Sequence, residues 1–327
     1  MEILTDQHKL GLGGVAIGTA FENISDEKSH EILQSAWDHG IRYYDTSPWY
    51  GLTKSERRFG TFLNERHRED FIFSTKIGRL FHEVSQSDVP PTMWKAPHNY
   101  DFRHLYTGDA VKKSIEDSLQ RTGLDYIDVV YVHDLSEDQV GDRYPYFFEQ
   151  ATKGAFKALS QLRDEGVIKA WGMGVNKIEP ILDCLEVADP DICLSATQYS
   201  ILDHEDAVDR LLPAVKKAGV KLVSGAGFNS GFLGGRERFN YKEVIPKGMH
   251  EKRNRISEIA KKYNITILDA AIHFVLAADE FASIIPGAST PRQIEQNVNS
   301  MKKTIPSDFW YELKHEGLIY YKAQTPK

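Results

Sequence analysis

Three ionisable residues close short apolar runs: Asp45 ends RYYD, Lys76 ends FIFSTK and His133 ends IDVVYVH. Each alone is explained as a charged side chain surfacing where an apolar segment stops. An acid, an amine and an imidazole converging on one place, with Tyr50 in the adjoining DTSPWYG segment, instead make a coherent acid–base device. That chemistry needs a scaffold that delivers the ends of several strands to one mouth.

The chain has a cadence that supplies such a scaffold. An amphipathic helical pattern, a Gly stop and a short β-branched and aromatic run recur around Gly40, Gly123, Gly166 and Gly219. Glycine suits a helix C-cap because a left-handed residue costs it little. Further strands are predicted at Leu12 to Ile17, Phe71 to Lys76, Ile192 to Thr197 and Ser283 to Pro286, giving eight in all. Strands alternating with helices pair in parallel and need helical cover, so an α/β fold is expected: a single-domain (β/α)8 TIM barrel over 1–327, with a doubly wound sheet as the runner-up. A barrel places its active site at the C-terminal strand ends, where Asp45, Lys76 and His133 stand. The longest irregular stretch, about 80–107, is rich in aromatics and reads as an ordered loop on the substrate side.

Composition excludes several classes. A formal charge of -7, with basic pairs dispersed among acids, leaves no nucleic-acid footprint. No apolar run approaches the roughly 18 residues of a membrane span, and the opening MEILTDQHKL lacks a basic and apolar leader pattern, so a cytoplasmic protein is expected. Cys184 and Cys193 have no CxxC spacing and read as core residues. His82, His98 and His104 fall near the same mouth, but their spacing does not indicate a metal site. The early GLGGVAIGTAF does not keep dinucleotide-fingerprint spacing. Nothing in the sequence speaks to oligomeric state.

The segment GIRYYDTSPWYGLTKSERRFG resembles the Asp-Thr…Tyr-Gly…Ser-Glu signature of the aldo-keto reductase superfamily, and FIFSTKIG and IDVVYVHDL are similar to its lysine and histidine strands. The resemblance runs from Gly11 to about Val298. It implies a catalytic tetrad of Asp45, Tyr50, Lys76 and His133, with Tyr50 transferring the proton. A free tyrosine titrates near pH ~10. A cation about 4 Å away at an effective dielectric near 20 is worth about 4 kcal/mol, so Lys76 is expected to bring Tyr50 towards neutrality, with Asp45 offsetting part of this. His133 would hydrogen-bond the substrate oxygen.

The same resemblance implies a nicotinamide cofactor. Asn176 and Gln198 look like carboxamide contacts, although Asn176 could instead cap the helix near Lys177, and Gln198 could be an amide satisfied by backbone. SIIPGASTPRQIEQNV resembles the adenosine-phosphate segment, which brings in Gly287, Ser289, Gln293, Gln296 and Asn297. Relatives that favour NADP carry Lys in place of Gly287 and Arg in place of Gln293, so NAD is expected in preference to NADP, with Arg292 as the remaining candidate for a 2′-phosphate. Gly225 stands where many relatives stack a tyrosine on the nicotinamide, and Phe228 is the candidate for apolar cover.

Finer features, GRL before an aromatic loop and then GFNSGFLGG, resemble the D-threo-aldose 1-dehydrogenase, L-fucose dehydrogenase and pyridoxal 4-dehydrogenase subgroup. This implies oxidation of an aldose such as L-fucose to a lactone. The alternatives are pyridoxal oxidation, a general NADPH-dependent aldehyde reductase, and a nicotinamide-binding regulatory subunit without turnover. Trp49 and Trp94 are the candidate substrate contacts, or else packing aromatics.

Overall fold

The computed structural model describes residues 3–326. Its strands in chain order are β1 (Leu12–Gly13), β2 (Tyr43–Asp45), β3 (Ile72–Ile77), β4 (Arg79–Glu83), β5 (Tyr100–His104), β6 (Val129–His133), β7 (Ala170–Val175), β8 (Ile192–Ala196), β9 (Lys221–Gly225) and β10 (Phe281–Ile284). Eight form one parallel sheet in the order β1-β2-β3-β6-β7-β8-β9-β10. Parallel bridges Leu10–Ile284 and Gly13–Gly287 join its two edges, and the Gly11 N–H donates to the Ile284 carbonyl at 2.9 Å. The sheet therefore closes into the expected barrel, and the doubly wound alternative falls away.

Alternation along the strands explains the two packing layers. Tyr43, Val129 and Tyr131 point into the barrel beside Leu194 and Val223, whereas Tyr44, Val130 and Val132 face the helices. Gly40, Gly123, Gly166 and Gly219 all have φ between 69° and 84°, which is why glycine ends those helices. At Gly174 the absent side chain serves packing instead: a Cβ there would lie 2.9 Å from Tyr131 Cβ and 3.7 Å from Lys76 Cε. Its absence leaves room for Tyr131, while the lysine stem lies at ordinary contact distance.

Two expectations need correction. The first strand ends at Gly13 rather than Ile17, because the chain turns back: Gly18 N–H donates to the Gly14 carbonyl and Thr19 sits at φ 69°. The stretch about 80–107 is not irregular throughout, since β4 and β5 pair antiparallel with Phe81 opposite Phe102. Tyr100, Phe102 and His104 alternate with Asp101 and Arg103, a period-2 pattern that two-residue pairing rewards. Among the described residues no helix is long and apolar enough to cross a membrane.

Candidate active site

The strand ends bring the sequence candidates together as the barrel geometry requires. Asp45 and His133 are the last residues of β2 and β6, Lys76 lies one residue from the end of β3, and Tyr50 stands in the turn after β2. That turn is tightly held: Leu52 and Thr53 have positive φ, Thr53 N–H donates to the Pro48 carbonyl at 2.7 Å, and Ser55 N–H to the Tyr50 carbonyl at 3.0 Å. The following helix, Lys54–Leu63, is tied to β3 through Glu56, which accepts from Thr75 Oγ1 at 2.6 Å and from Arg121 Nε at 2.5 Å. The phenol is thereby pinned beside Lys76, whose Nζ lies 4.7 Å from the Tyr50 ring centre.

Lys76 Nζ donates to Asp45 Oδ1 at 2.6 Å and to the Thr46 carbonyl at 2.8 Å, and Ser74 Oγ donates to the other carboxylate oxygen at 2.7 Å. Both residues are 1% exposed. Burial pushes the Asp45 carboxyl up and the Lys76 ammonium down, and their contact counters both shifts. Burial, and next the Asp45 carboxylate, hold the Tyr50 phenol well above its ordinary range. The expected lowering by Lys76 is not met, because a lysine already matched by a carboxylate offers little net charge to a third group. In this state Tyr50 keeps its proton at neutral pH.

His133 Nδ1 lies 3.0 Å from Ser47 Oγ and 3.5 Å from Arg79 Nη1. A guanidinium has only donors, so Nδ1 is the bare nitrogen and the proton sits on Nε2. Burial, with Arg79 and Lys76 nearby, pushes this imidazole far below its usual range. A depressed histidine pKa means the unfolded state binds the extra proton first. His133 therefore favours folding fully above pH ~6.5 and loses that contribution as the pH falls. The expected result is an imidazole resonance for His133 that does not titrate between pH ~8 and ~5.5 by NMR; a midpoint inside that window would show that a charged donor acts here.

All four residues open into one cavity of about 360 Å³. Asn176, Gly225, Phe228, Gly287, Ser289, Gln293, Gln296 and Asn297 line it, as do Trp49 and Trp94; Gln198 is not among the lining residues. Its amide nitrogen is spent on the Asn176 carbonyl at 2.7 Å and Thr197 Oγ1 at 3.0 Å, the backbone-satisfied alternative. Asn176 is no helix cap, since Ile178 precedes the helix Glu179–Val187. Trp49 and Trp94 meet edge to face at 5.6 Å, with Trp94 5.7 Å from the Tyr50 ring, so they form an aromatic wall. The histidines of the long loop are not brought together: His98 contacts Thr53 and His104 stacks on Tyr106.

The far end of the cavity suits a dinucleotide. Gly13, Gly225, Gly227 and Gly287 give it backbone walls, and a Cβ at Gly13 would come within 2.8 Å of the Ile285 carbonyl. The helix Pro291–Met301 begins there, with Thr290 capping Gln293 N–H and Ser289 N–H bonded to Gln293 Oε1 at 2.7 Å. Such an end presents amide donors to phosphate. Gly287 and Gln293 bring no cation, and Arg292 is exposed and does not line the cavity. Sequence reasoning missed Asp134, Tyr241, Arg236 and Arg238, which also line it. Arg238 lies 3.6 Å over the Phe21 ring, bridging the two sides of the cavity.

A closed parallel barrel with this acid–base group and a helix N-terminus on one cavity at its C-terminal mouth is the architecture of a nicotinamide-dependent oxidoreductase. The Aldo/keto reductase family model matches residues 9–315, and the chain belongs to that family. It is 38% identical over 324 residues to a pyridoxal 4-dehydrogenase from Microbacterium luteolum, covering 95% of this chain and 94% of that one. It is 34% identical over 319 residues to a D-threo-aldose 1-dehydrogenase from a Pseudomonas species, with 95% and 94% covered. Among solved structures, the holo form of an aldo-keto reductase from Bacillus halodurans superposes with a TM-score of 0.72 at 24% identity, covering 98% of this chain and 94% of that one.

Proposed function

We propose that the protein oxidises a cyclic hemiacetal, an aldose of the L-fucose or D-threo type, at its anomeric carbon to the lactone, using NAD in preference to NADP. The observation that carries this reading is the convergence of Tyr50, His133 and the Lys76–Asp45 pair on one cavity beside an aromatic wall. The bound nicotinamide would take the hydride from the anomeric carbon. The chain's own residues do the rest: Tyr50 takes the hydroxyl proton, His133 Nε2–H hydrogen-bonds the same oxygen as its charge changes, and Lys76 with Asp45 fixes the field around the phenol. Asn176, Gly225, Phe228, Gly287, Ser289, Gln293, Gln296 and Asn297 would hold the cofactor, and Trp49 and Trp94 the apolar face of the sugar. The neutral Gly287 and Gln293 support NAD, since a charge-assisted bond to a 2′-phosphate would be worth about 1.5–3 kcal/mol.

A second reading, pyridoxal as the hemiacetal, is favoured by the relative at 38% identity and by the aromatic side chains of Trp49 and Trp94 on the cavity. The test is absorbance of reduced nicotinamide with NAD and NADP separately, against L-fucose, related aldoses and pyridoxal. Turnover with an aldose and NAD is the expected result. Turnover confined to pyridoxal selects the second reading, and activity confined to aldehydes with NADPH replaces both with a reductase. Nucleotide binding without turnover on any of these would make the barrel a regulatory subunit.

A further inference from the structure

We propose that Asp134 and Tyr241 form a hydroxyl-recognition pair beside the proton-transfer group, selecting substrates that carry a hydroxyl on the carbon next to the reacting one. This rests on the reading that the substrate is an aldose and specifies how such a sugar is recognised.

Asp134 is 6% exposed, yet it lines the cavity. It sits at φ 53°, a strained conformation for a residue with a side chain, with its N–H fixed on the Gly174 carbonyl at 3.0 Å. Arg79 Nη1 holds Oδ2 at 3.0 Å and is itself buried under Trp49, 4.7 Å from that ring. A buried pair of this kind adds little stability against an apolar replacement, so its presence needs another reason. His133 Nε2 lies 3.6 Å from Oδ2, beyond hydrogen-bond range but within the spacing of two oxygens on neighbouring carbons. Among the described residues no hydrogen bond reaches Oδ1.

Tyr241 comes from a different part of the chain and lines the same cavity. It too is strained, at φ 68°, next to Asn240 at φ 48°. The strain is held by Ser230 Oγ, which accepts from the Tyr241 N–H at 2.9 Å, and by Asn229 Nδ2, which donates to Asn240 Oδ1 at 3.0 Å. Burial, then the Asp134 and Asp45 carboxylates, push the phenol above its usual range, so Tyr241 is a donor where Asp134 is an acceptor. A hydroxyl both donates and accepts, so it can satisfy both members of the pair at once. An alkyl group at that position offers no hydrogen bond to either the carboxylate or the phenol, although Arg79 still holds Asp134 Oδ2 at 3.0 Å.

The test compares an aldose that the enzyme turns over with its 2-deoxy counterpart, in wild type, Asp134→Asn and Tyr241→Phe. Wild type should lose about 10–100-fold in kcat/KM on the 2-deoxy sugar, mostly in KM. Asp134→Asn should lose a similar factor on the parent sugar, while the gap between the two sugars narrows to within about threefold. Tyr241→Phe should narrow it partially, and it keeps the proposal falsifiable if Asp134→Asn fails to fold. Equal wild-type rates on both sugars, or variants that lose equally on both, overturn the proposal. Should no aldose be oxidised, the functional reading fails on its own; glycolaldehyde against acetaldehyde with NADH then decides the recognition pair by the same comparison.

Discussion

Tyr50→Phe is expected to lower kcat for hemiacetal oxidation by about 10²–10⁴-fold, the range that a positioned proton-transfer group contributes. The substitution removes one oxygen and keeps the ring against Trp94 at 5.7 Å and under Lys76 Nζ at 4.7 Å, so the cavity wall persists. Nucleotide affinity, read by fluorescence quenching, should be unaltered. Oxidation requires the phenol to accept a proton, and burial with the Asp45 carboxylate holds that proton on it at neutral pH. The oxidation rate of wild type should therefore climb with pH as the anion becomes populated, whereas the reverse reduction, which needs the protonated form, should not. In the Phe variant the alkaline climb should vanish together with the rate. A variant within tenfold of wild type, or one that retains the climb, would assign proton transfer to another group.

The sequence carried what local physics writes. Helix stops at Gly40, Gly123, Gly166 and Gly219 were legible because a positive φ selects glycine wherever it occurs. The eight barrel strands were legible because short buried parallel strands are dense in β-branched and aromatic residues. Asp45, Lys76 and His133 followed, since polar residues ending such strands have one place to go. What escaped depends on contacts across the chain. The β4–β5 hairpin joins residues 21 positions apart at Phe81 and Phe102 through a 16-residue connection, with none of the two-residue turns that betray a hairpin. Asp134 follows His133 and reads as a surfacing acid until Arg79, 55 positions earlier, is found at 3.0 Å. Tyr241 reaches the cavity only through a left-handed conformation that no residue preference announces. Lys76 was recognised, but its effect on Tyr50 was misjudged, because the balance between two charges depends on how closely they meet and not on their presence.

That balance makes the Lys76–Asp45 pair the place where stability and catalysis can be separated. Lys76→Met should lower the free energy of unfolding by about 3–5 kcal/mol, a large share of the roughly 5–15 kcal/mol typical of a folded domain, because it strands a buried carboxylate. Among the described residues Ser74 Oγ at 2.7 Å is then the one hydrogen-bond donor left to the Asp45 carboxylate. Asp45→Asn in the same chain replaces the stranded charge by an amide that can still bond Ser74. The double variant should recover most of the lost stability in urea denaturation. Activity should not return with it, since neither the ammonium near the phenol nor its anchor on the Thr46 carbonyl is restored. A double variant as unstable as Lys76→Met would mean that the buried lysine stem matters more to the fold than the charge pair does. Recovery of both stability and turnover would remove Lys76 from the catalytic group and leave it a structural cation.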